Sequence, residues 1–252
     1  MPEADYKYNI QSAEKTLHIL ELLAGGSGQL TVSQIAEKLD AHVSGVTRFL
    51  RTLQTMGYVE KDPATGRYGL TDQLFLLSDR LLVRHPLTEH YLNIMYTYAH
   101  QFNMTTHISS FFGQNMVTLH KDTRLYNITL NQAFFDPKRY LYCSAPGRLL
   151  LAGLPPEALD AYFQTAVLIK YQPKTLATEP EIRAELEQTR ARGYAINDEE
   201  YIAGTYTISF PLRVAGAVRG ALSFVCYVQD KHTISSPIAI RDIQTRLGNM
   251  GA

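Results

Sequence analysis

Cys143, His107, His120 and the run Asp198-Glu199-Glu200 are the residues of this chain whose types invite a chemical reading. A thiol becomes a nucleophile only where a neighbouring base takes its proton or a positive environment holds the thiolate. Cys143 with either histidine has the right composition for that, and for a metal-ligand set. The spacing matches no closed zinc site, and neither Cys143 nor Cys226 belongs to a CxxC pair. A buried cysteine acting as a small hydrophobe is the commoner arrangement. An enzyme using Cys143 and a metal- or thiol-dependent sensor therefore stand as alternatives to a reading without catalysis, metal or cofactor. The three carboxylates suit general acid–base work, but such a run more often caps an element or faces solvent.

The elements that would position these groups fall into two sets. From Gln11 to Leu23 apolar residues recur at helical spacing: Ala13, Leu17, Leu20 and Leu23, with Ile19 alongside. Gly25-Gly26-Ser27-Gly28 ends that helix. Thr31-Val32-Ser33-Gln34 is a capping-box pattern and opens a second helix. After the turn Asp40-Ala41-His42 a third helix starts at Val43 or Ser44, carries Val46, Phe49, Leu50 and Leu53 inward, and closes at Gly57. Tyr58–Lys61 and Arg67–Leu70 flank Asp62-Pro63-Ala64-Thr65-Gly66 as a hairpin. Three short helices followed by a hairpin make the order of a winged helix-turn-helix, over residues 1–71.

Residues 72–87 read as a linker helix ended by Pro86. Its apolar residues, Leu74, Leu77 and Leu81 among them, suggest a dimer contact. Residues 88–252 mix strands and helices in an α+β domain large enough for a core and a pocket. The strands expected are Thr105–Phe112, Met116–His120, Leu125–Leu130, Tyr194–Asn197, Thr205–Pro211 and Gly220–Val228. The helices expected are one marked by Leu92, Met95, Tyr96 and Ala99, then Pro146–Leu154, Glu157–Phe163, Glu179–Arg192 and Ser235–Leu247.

In a winged helix-turn-helix the start of the third helix meets base edges. Here that is Val43, Ser44, Gly45, Thr47 and Arg48. Arg51, one turn on, suits a phosphate, and Arg67 sits on the wing. Charge alone does not advertise this role. The chain is neutral overall, and residues 1–72 hold seven Lys or Arg against nine Asp or Glu. Five of the seven basic residues lie between Lys38 and Arg67, so any positive surface is local. No apolar run is long enough for a membrane span, and the opening residues are no signal peptide, so a cytoplasmic protein is expected.

These residues resemble the IclR family of bacterial transcriptional regulators over nearly the whole length. At the N-terminus the match is Ser12–Glu21, Leu30–Ala36, Ser44–Leu53, Gly57-Tyr58-Val59 and Gly66–Leu70. Further on it is Ser144–Ala152, Arg190–Ala195, Asp198-Glu199-Glu200, Gly204, Ser209–Leu212 and Gly220–Ser223. Asp40 stands where the family usually has Gly, Gly45 where it has a hydroxyl residue, and Ser144-Ala145 at its serine–glycine pair. The resemblance implies a GAF-like effector-binding domain, double-stranded operator DNA as partner, and a homodimer or homotetramer. It also implies a pocket for a small organic or aromatic acid. By position that pocket is built from Ala145 and Pro146 on the loop before a helix, Asn197, Thr205 and Thr207, and Ser223 and Val225. Free N–H groups at a helix start suit a carboxylate, and Thr207 and Ser223 are neutral donors. Sixteen tyrosines, Tyr126, Tyr142, Tyr201 and Tyr206 among them, allow an aromatic lining.

Overall fold

The computed structural model describes residues 10–25, 28–124 and 136–250. The lead at 1–9, Gly26-Ser27 and the expected strand Leu125–Leu130 with Tyr126 lie outside the described residues. Two compact units divide the chain, Met1–Leu82 and Val83–Ala252.

The first unit runs α1 (Gln11–Ala24), β1 (Gln29–Leu30), α2 (Val32–Lys38), α3 (Val43–Thr55), β2 (Val59–Lys61), β3 (Tyr68–Leu70) and α4 (Gln73–Val83). The capping box forms: Thr31 Oγ1 accepts the Gln34 N–H at 3.3 Å, and Gln34 Oε1 accepts the Thr31 N–H at 2.9 Å. Asp40 turns the chain between α2 and α3 with φ at +46°, a left-handed conformation that aspartate tolerates better than most residues. Ile19, Leu23, Ile35, Val46, Leu50, Leu53 and Val59 close a core between the three helices and the hairpin. Leu17, expected inward, is 60% exposed; the inward stripe of α1 passes through Ile19 and Leu23 instead. A strand not anticipated, β1, pairs with β3, giving sheet order β1-β3-β2. Two residues are too short a run for a periodic signal.

The predicted linker helix is shorter than expected. It stops at Val83, and Pro86 begins the next helix rather than ending this one. Proline costs nothing at a first helical position, where its missing N–H would have had no partner. His85 caps that start by accepting the Leu87 N–H on Nδ1 at 3.2 Å.

The second unit contains α5 (Pro86–Phe102), β4 (Thr105–Phe112), β5 (Asn115–Asp122), α6 (Pro137–Tyr140), α7 (Ala145–Ala152), α8 (Pro156–Thr165), α9 (Glu179–Arg192), β6 (Ala195–Asp198), β7 (Thr205–Val214), β8 (Ala217–Tyr227), α10 (His232–Ser235) and α11 (Pro237–Met250). The expected last helix, Ser235–Leu247, is α11, which begins at Pro237, and the short α10 before it is unanticipated. The five strands form one antiparallel sheet in the order β5-β4-β8-β7-β6. Successive side chains on a strand point to opposite faces. One face carries Ile108, Ile208, Phe210, Leu222 and Phe224, packed in one core with Tyr91, Met95 and Tyr98 of α5 and Ile243 of α11. The other face is polar yet buried: Thr105, His107 and Ser109 on β4, Thr205, Thr207 and Ser209 on β7, and Ser223 on β8. α7 packs on the strands that carry this face.

Candidate functional site

A narrow cavity of about 20 Å³ lies beside the start of α7, just large enough for a water molecule. Six of the seven residues assigned to a pocket line it: Ala145, Pro146, Asn197, Thr205, Thr207 and Val225. The seventh, Ser223, does not. Its hydroxyl sits 2.7 Å from the Ser209 hydroxyl, and both are fully buried. Register explains the miss: Ser223 pairs with Ser209, one step along the sheet from the Thr207–Val225 pair that reaches the cavity. Of the tyrosines considered, Tyr201 is in the lining, joined by Tyr140 at 5.1 Å between ring centroids. Tyr142 instead donates to the Ile169 carbonyl at 2.6 Å, and Tyr206 belongs to the opposite, apolar face.

Ala145 and Pro146 are the first residues of α7 rather than a loop. The Ser144 hydroxyl caps the helix by accepting the Gly147 N–H at 3.2 Å, and Pro146 has none to offer. Among the described residues this leaves the Ala145 N–H as the open donor of the first turn, not several as expected. A Cβ at Gly147 would collide with the Leu141 carbonyl, so glycine is required there.

The polar lining divides into spent and open groups. The Asn197 amide is spent, donating to the Cys143 carbonyl and accepting the Glu200 N–H at 3.3 Å. The Thr205 hydroxyl donates to the Ile202 carbonyl at 2.7 Å. The Thr207 hydroxyl has no partner among the described residues. His107, which sequence reasoning weighed only for catalysis or metal binding, also lines the cavity, and its buried Nε2 has no partner among the described residues. Burial, aided by the Lys121 charge, pushes its pKa down to about 4, so the ring is neutral near pH 7.

Arg148, which carried no signal in the sequence, is fully buried. It donates to Glu200 through Nη1 at 2.6 Å and also through Nη2, and to the Tyr142 and Ile196 carbonyls at 2.9 and 2.7 Å. Glu200 is therefore an internal counter-ion rather than a capping or solvated group. Its neighbours meet the surface expectation: Asp198 pairs with Lys174 and Lys231, and Glu199 with Lys174. Cys143 makes a poor nucleophile. Burial pushes its thiol up to about 12, and Sγ donates to the Tyr140 carbonyl at 3.4 Å. His120 is engaged with Thr88 at 3.0 Å. No group of three or more metal-ligand side chains comes together among the described residues.

In the first unit Val43, Ser44, Thr47, Arg48 and Arg51 are exposed on α3, and Gly45 is half-buried. Thr47 Oγ1 donates back to the Val43 carbonyl at 2.7 Å, leaving its lone pairs outward. The Arg48 and Arg51 guanidinium groups have no partner among the described residues, and both border an open groove with Thr52 and Thr55. Arg67 differs from expectation in being partly committed at home. Its Nη1 donates to the Gln29 carbonyl at 3.3 Å and to Gln34 Oε1 at 3.4 Å.

A winged helix-turn-helix with open arginines on its third helix, joined in one chain to an α+β unit with a buried polar cavity, defines a DNA-binding transcription regulator. The chain belongs to the IclR family. The family model described as the IclR helix-turn-helix domain matches residues 12–63, and that of the bacterial transcriptional regulator IclR C-terminal region matches residues 80–231. The chain is 32% identical over 212 residues to the glycerol operon regulatory protein of Streptomyces coelicolor, covering 81% of this chain and 79% of that protein. It is 26% identical over 204 residues to the HTH-type transcriptional regulator XynR of Escherichia coli, covering 81% and 80%. An IclR homologue from Microbacterium hydrocarbonoxydans, solved with 4-hydroxybenzoate, shares the fold with a TM-score of 0.72 at 21% identity, covering 94% of this chain and 99% of that one. The relatives are named as regulators, and this chain is a regulator rather than an enzyme. Among the described residues no helix is long and apolar enough to cross a membrane.

Proposed function

We propose that this regulator reads operator DNA with the start of α3, and that a small organic acid held beside α7 controls that binding. The observation that carries the second half is convergence: Ala145 at the start of α7, Thr207 and His107 line one cavity, and the buried His107 Nε2 has no partner among the described residues. Buried polar groups are normally paired, so an unpaired one on a residue of the cavity wall supports a polar ligand there. The Microbacterium homologue bound to 4-hydroxybenzoate supports an acid of this kind. The loss of one partner of a buried hydrogen bond costs about 1–3 kcal/mol. Thr207→Val is therefore expected to weaken acid binding roughly ten- to a hundredfold, with 4-hydroxybenzoate as the calorimetric probe. Operator affinity without the acid should be unaffected. Full acid affinity in this variant would place the site elsewhere. Coupling is reciprocal: an acid that weakens DNA binding binds the DNA-bound protein more weakly by the same factor.

The assembly belongs to the same reading. α4 buries none of its residues, and Phe75, Leu81 and Val83 are 70% exposed or more, although Leu74 is half-buried. Large apolar side chains left exposed together on one helix mark an association surface. The protein is expected to be a dimer or tetramer at micromolar concentration, and Phe75→Glu with Leu81→Glu to shift it toward monomer. Light scattering decides, and a monomeric unmodified chain would remove α4 as a pairing element.

A further inference from the structure

We propose that Arg67 places the wing instead of touching DNA, and that Lys61 is the wing's contact with the phosphate backbone. This rests on α3 being the helix that reads operator DNA, and adds how the hairpin β2–β3 is held and used.

The first observation is how the wing is built. Its tip, residues 62–67, has a set internal shape. The Asp62 N–H donates to the Arg67 carbonyl and the Gly66 N–H to the Asp62 carbonyl, both at 2.8 Å. The Asp62 carboxylate accepts the Ala64 N–H at 2.8 Å and the Thr65 hydroxyl at 2.6 Å. None of these bonds ties the tip to the helices. Arg67 does. It stands one residue before β3, and its Nη1 donates to the Gln29 carbonyl of β1 at 3.3 Å and to Gln34 Oε1 of α2 at 3.4 Å. That same oxygen accepts the Thr31 N–H at 2.9 Å and the Thr31 hydroxyl at 3.2 Å in the capping box of α2. One guanidinium therefore joins the wing, β1 and the start of the helix-turn-helix, and bonds from a charged donor are the stronger kind. Swinging Arg67 out to a phosphate would break both bonds and release the tip from α2.

The second observation is which cation is left over. Lys61 and Arg67 are the basic residues of the hairpin. Lys61 ends β2, is exposed, and makes no hydrogen bond or ion pair among the described residues. Its ammonium lies 5.6 Å from the centroid of the Tyr68 ring, its register partner across the hairpin. That ring is buried in the core of the unit, so it gives the ammonium a fixed place without using any of its three donors. Glu60, the acid beside it on β2, falls on the other face by strand alternation, and the Asp62 carboxylate is turned into the tip. A lysine ammonium is a point charge that suits a phosphate oxygen and carries no base preference. Arg67 sets where that charge stands, so it is a positioning residue acting through Lys61.

The test is a double-mutant cycle read by DNA binding of the full chain. The probe is a duplex that the unmodified protein selects from a random-sequence pool, with a scrambled duplex as control, and affinity is measured between about 50 and 200 mM salt. Lys61→Met should weaken binding to both duplexes about equally and lower the salt slope by about one for each head engaged. Arg67→Met should weaken binding to the selected duplex about three- to tenfold, the cost of one or two modest hydrogen bonds. In the Lys61→Met background the same Arg67→Met change should lower neither affinity nor slope, because the charge it places is gone. Arg67→Gln removes the same bonds and should give the same cycle if the methionine variant does not fold. A further fall in slope in that background means that Arg67 meets phosphate itself, and overturns the proposal. An equal loss in both backgrounds means a general loosening of the domain and overturns it too. So does a slope unchanged by Lys61→Met, or an Arg67→Met protein that binds like the unmodified chain. If the protein selects no duplex, or one whose binding survives Arg48→Ala, the reading of α3 falls and this proposal with it.

Discussion

Replacement of Arg48 by alanine is expected to abolish specific operator binding while fold and assembly stay intact. The side chain is exposed on α3, one position past Thr47, and makes no hydrogen bond or ion pair among the described residues, so its loss removes nothing from the core formed by Val46, Leu50 and Leu53. A bidentate arginine–guanine pair contributes about 1–3 kcal/mol of discrimination, or roughly ten- to a hundredfold for each helix engaged. That loss is not cushioned by a generally basic surface, because the DNA-binding half carries more acid than base. Arg51→Ala is a useful contrast. A phosphate contact carries no sequence information, so binding should weaken about equally on specific and random DNA, and the salt slope should fall by about one. Gel shifts at two salt concentrations separate the two roles. Wild-type operator affinity in a folded Arg48→Ala protein would remove α3 as the reading helix.

The DNA-binding half was legible because its signals are local. A capping box, a short turn and a short hairpin each declare themselves within four or five residues, and α2 and α3 begin where Thr31 and Val43 place them. The misses there have local causes too. Pro86 reads as a stop or a start depending on whether a capping residue precedes it, and His85 in that role is unusual. The cavity was legible only through the family resemblance, since no periodicity distinguishes Thr207, which faces it, from Ser223, which pairs across the sheet with Ser209. Its most consequential buried contact was invisible for another reason. Arg148 and Glu200 lie 52 positions apart, on a helix and beyond a strand end, and each alone looks like an ordinary surface charge.

The second large effect follows from that pair. Glu200→Gln is expected to destabilise the second unit by about 3–5 kcal/mol, because it leaves a buried guanidinium without its counter-charge. The Arg148 side chain is 1% exposed and that of Glu200 10%. Glu185 does not substitute: it lies 4.0 Å from Arg148 but is already held by Arg192 at 2.5 Å. For a domain of this size the cost corresponds to a fall in Tm of roughly 6–20 °C. The effect should reach the cavity. Arg148 ties α7 to the Ile196 carbonyl of β6, the Glu200 carbonyl accepts the Thr175 hydroxyl, and the Glu200 N–H is bonded to Asn197 in the cavity wall. Acid binding should weaken along with stability, whereas operator binding by the unliganded protein, which depends on α3, should persist below the new Tm. Replacing both partners, Arg148→Met with Glu200→Leu, removes the stranded charge and should recover much of the loss, though not all, because the Tyr142 and Ile196 carbonyls lose their donor. Thermal unfolding of the three proteins separates the alternatives. A Glu200→Gln protein that melts with the unmodified chain would mean that water reaches Arg148. A double variant no better than the single one would show that Arg148 matters for its hydrogen bonds to α7 and β6 rather than for its charge.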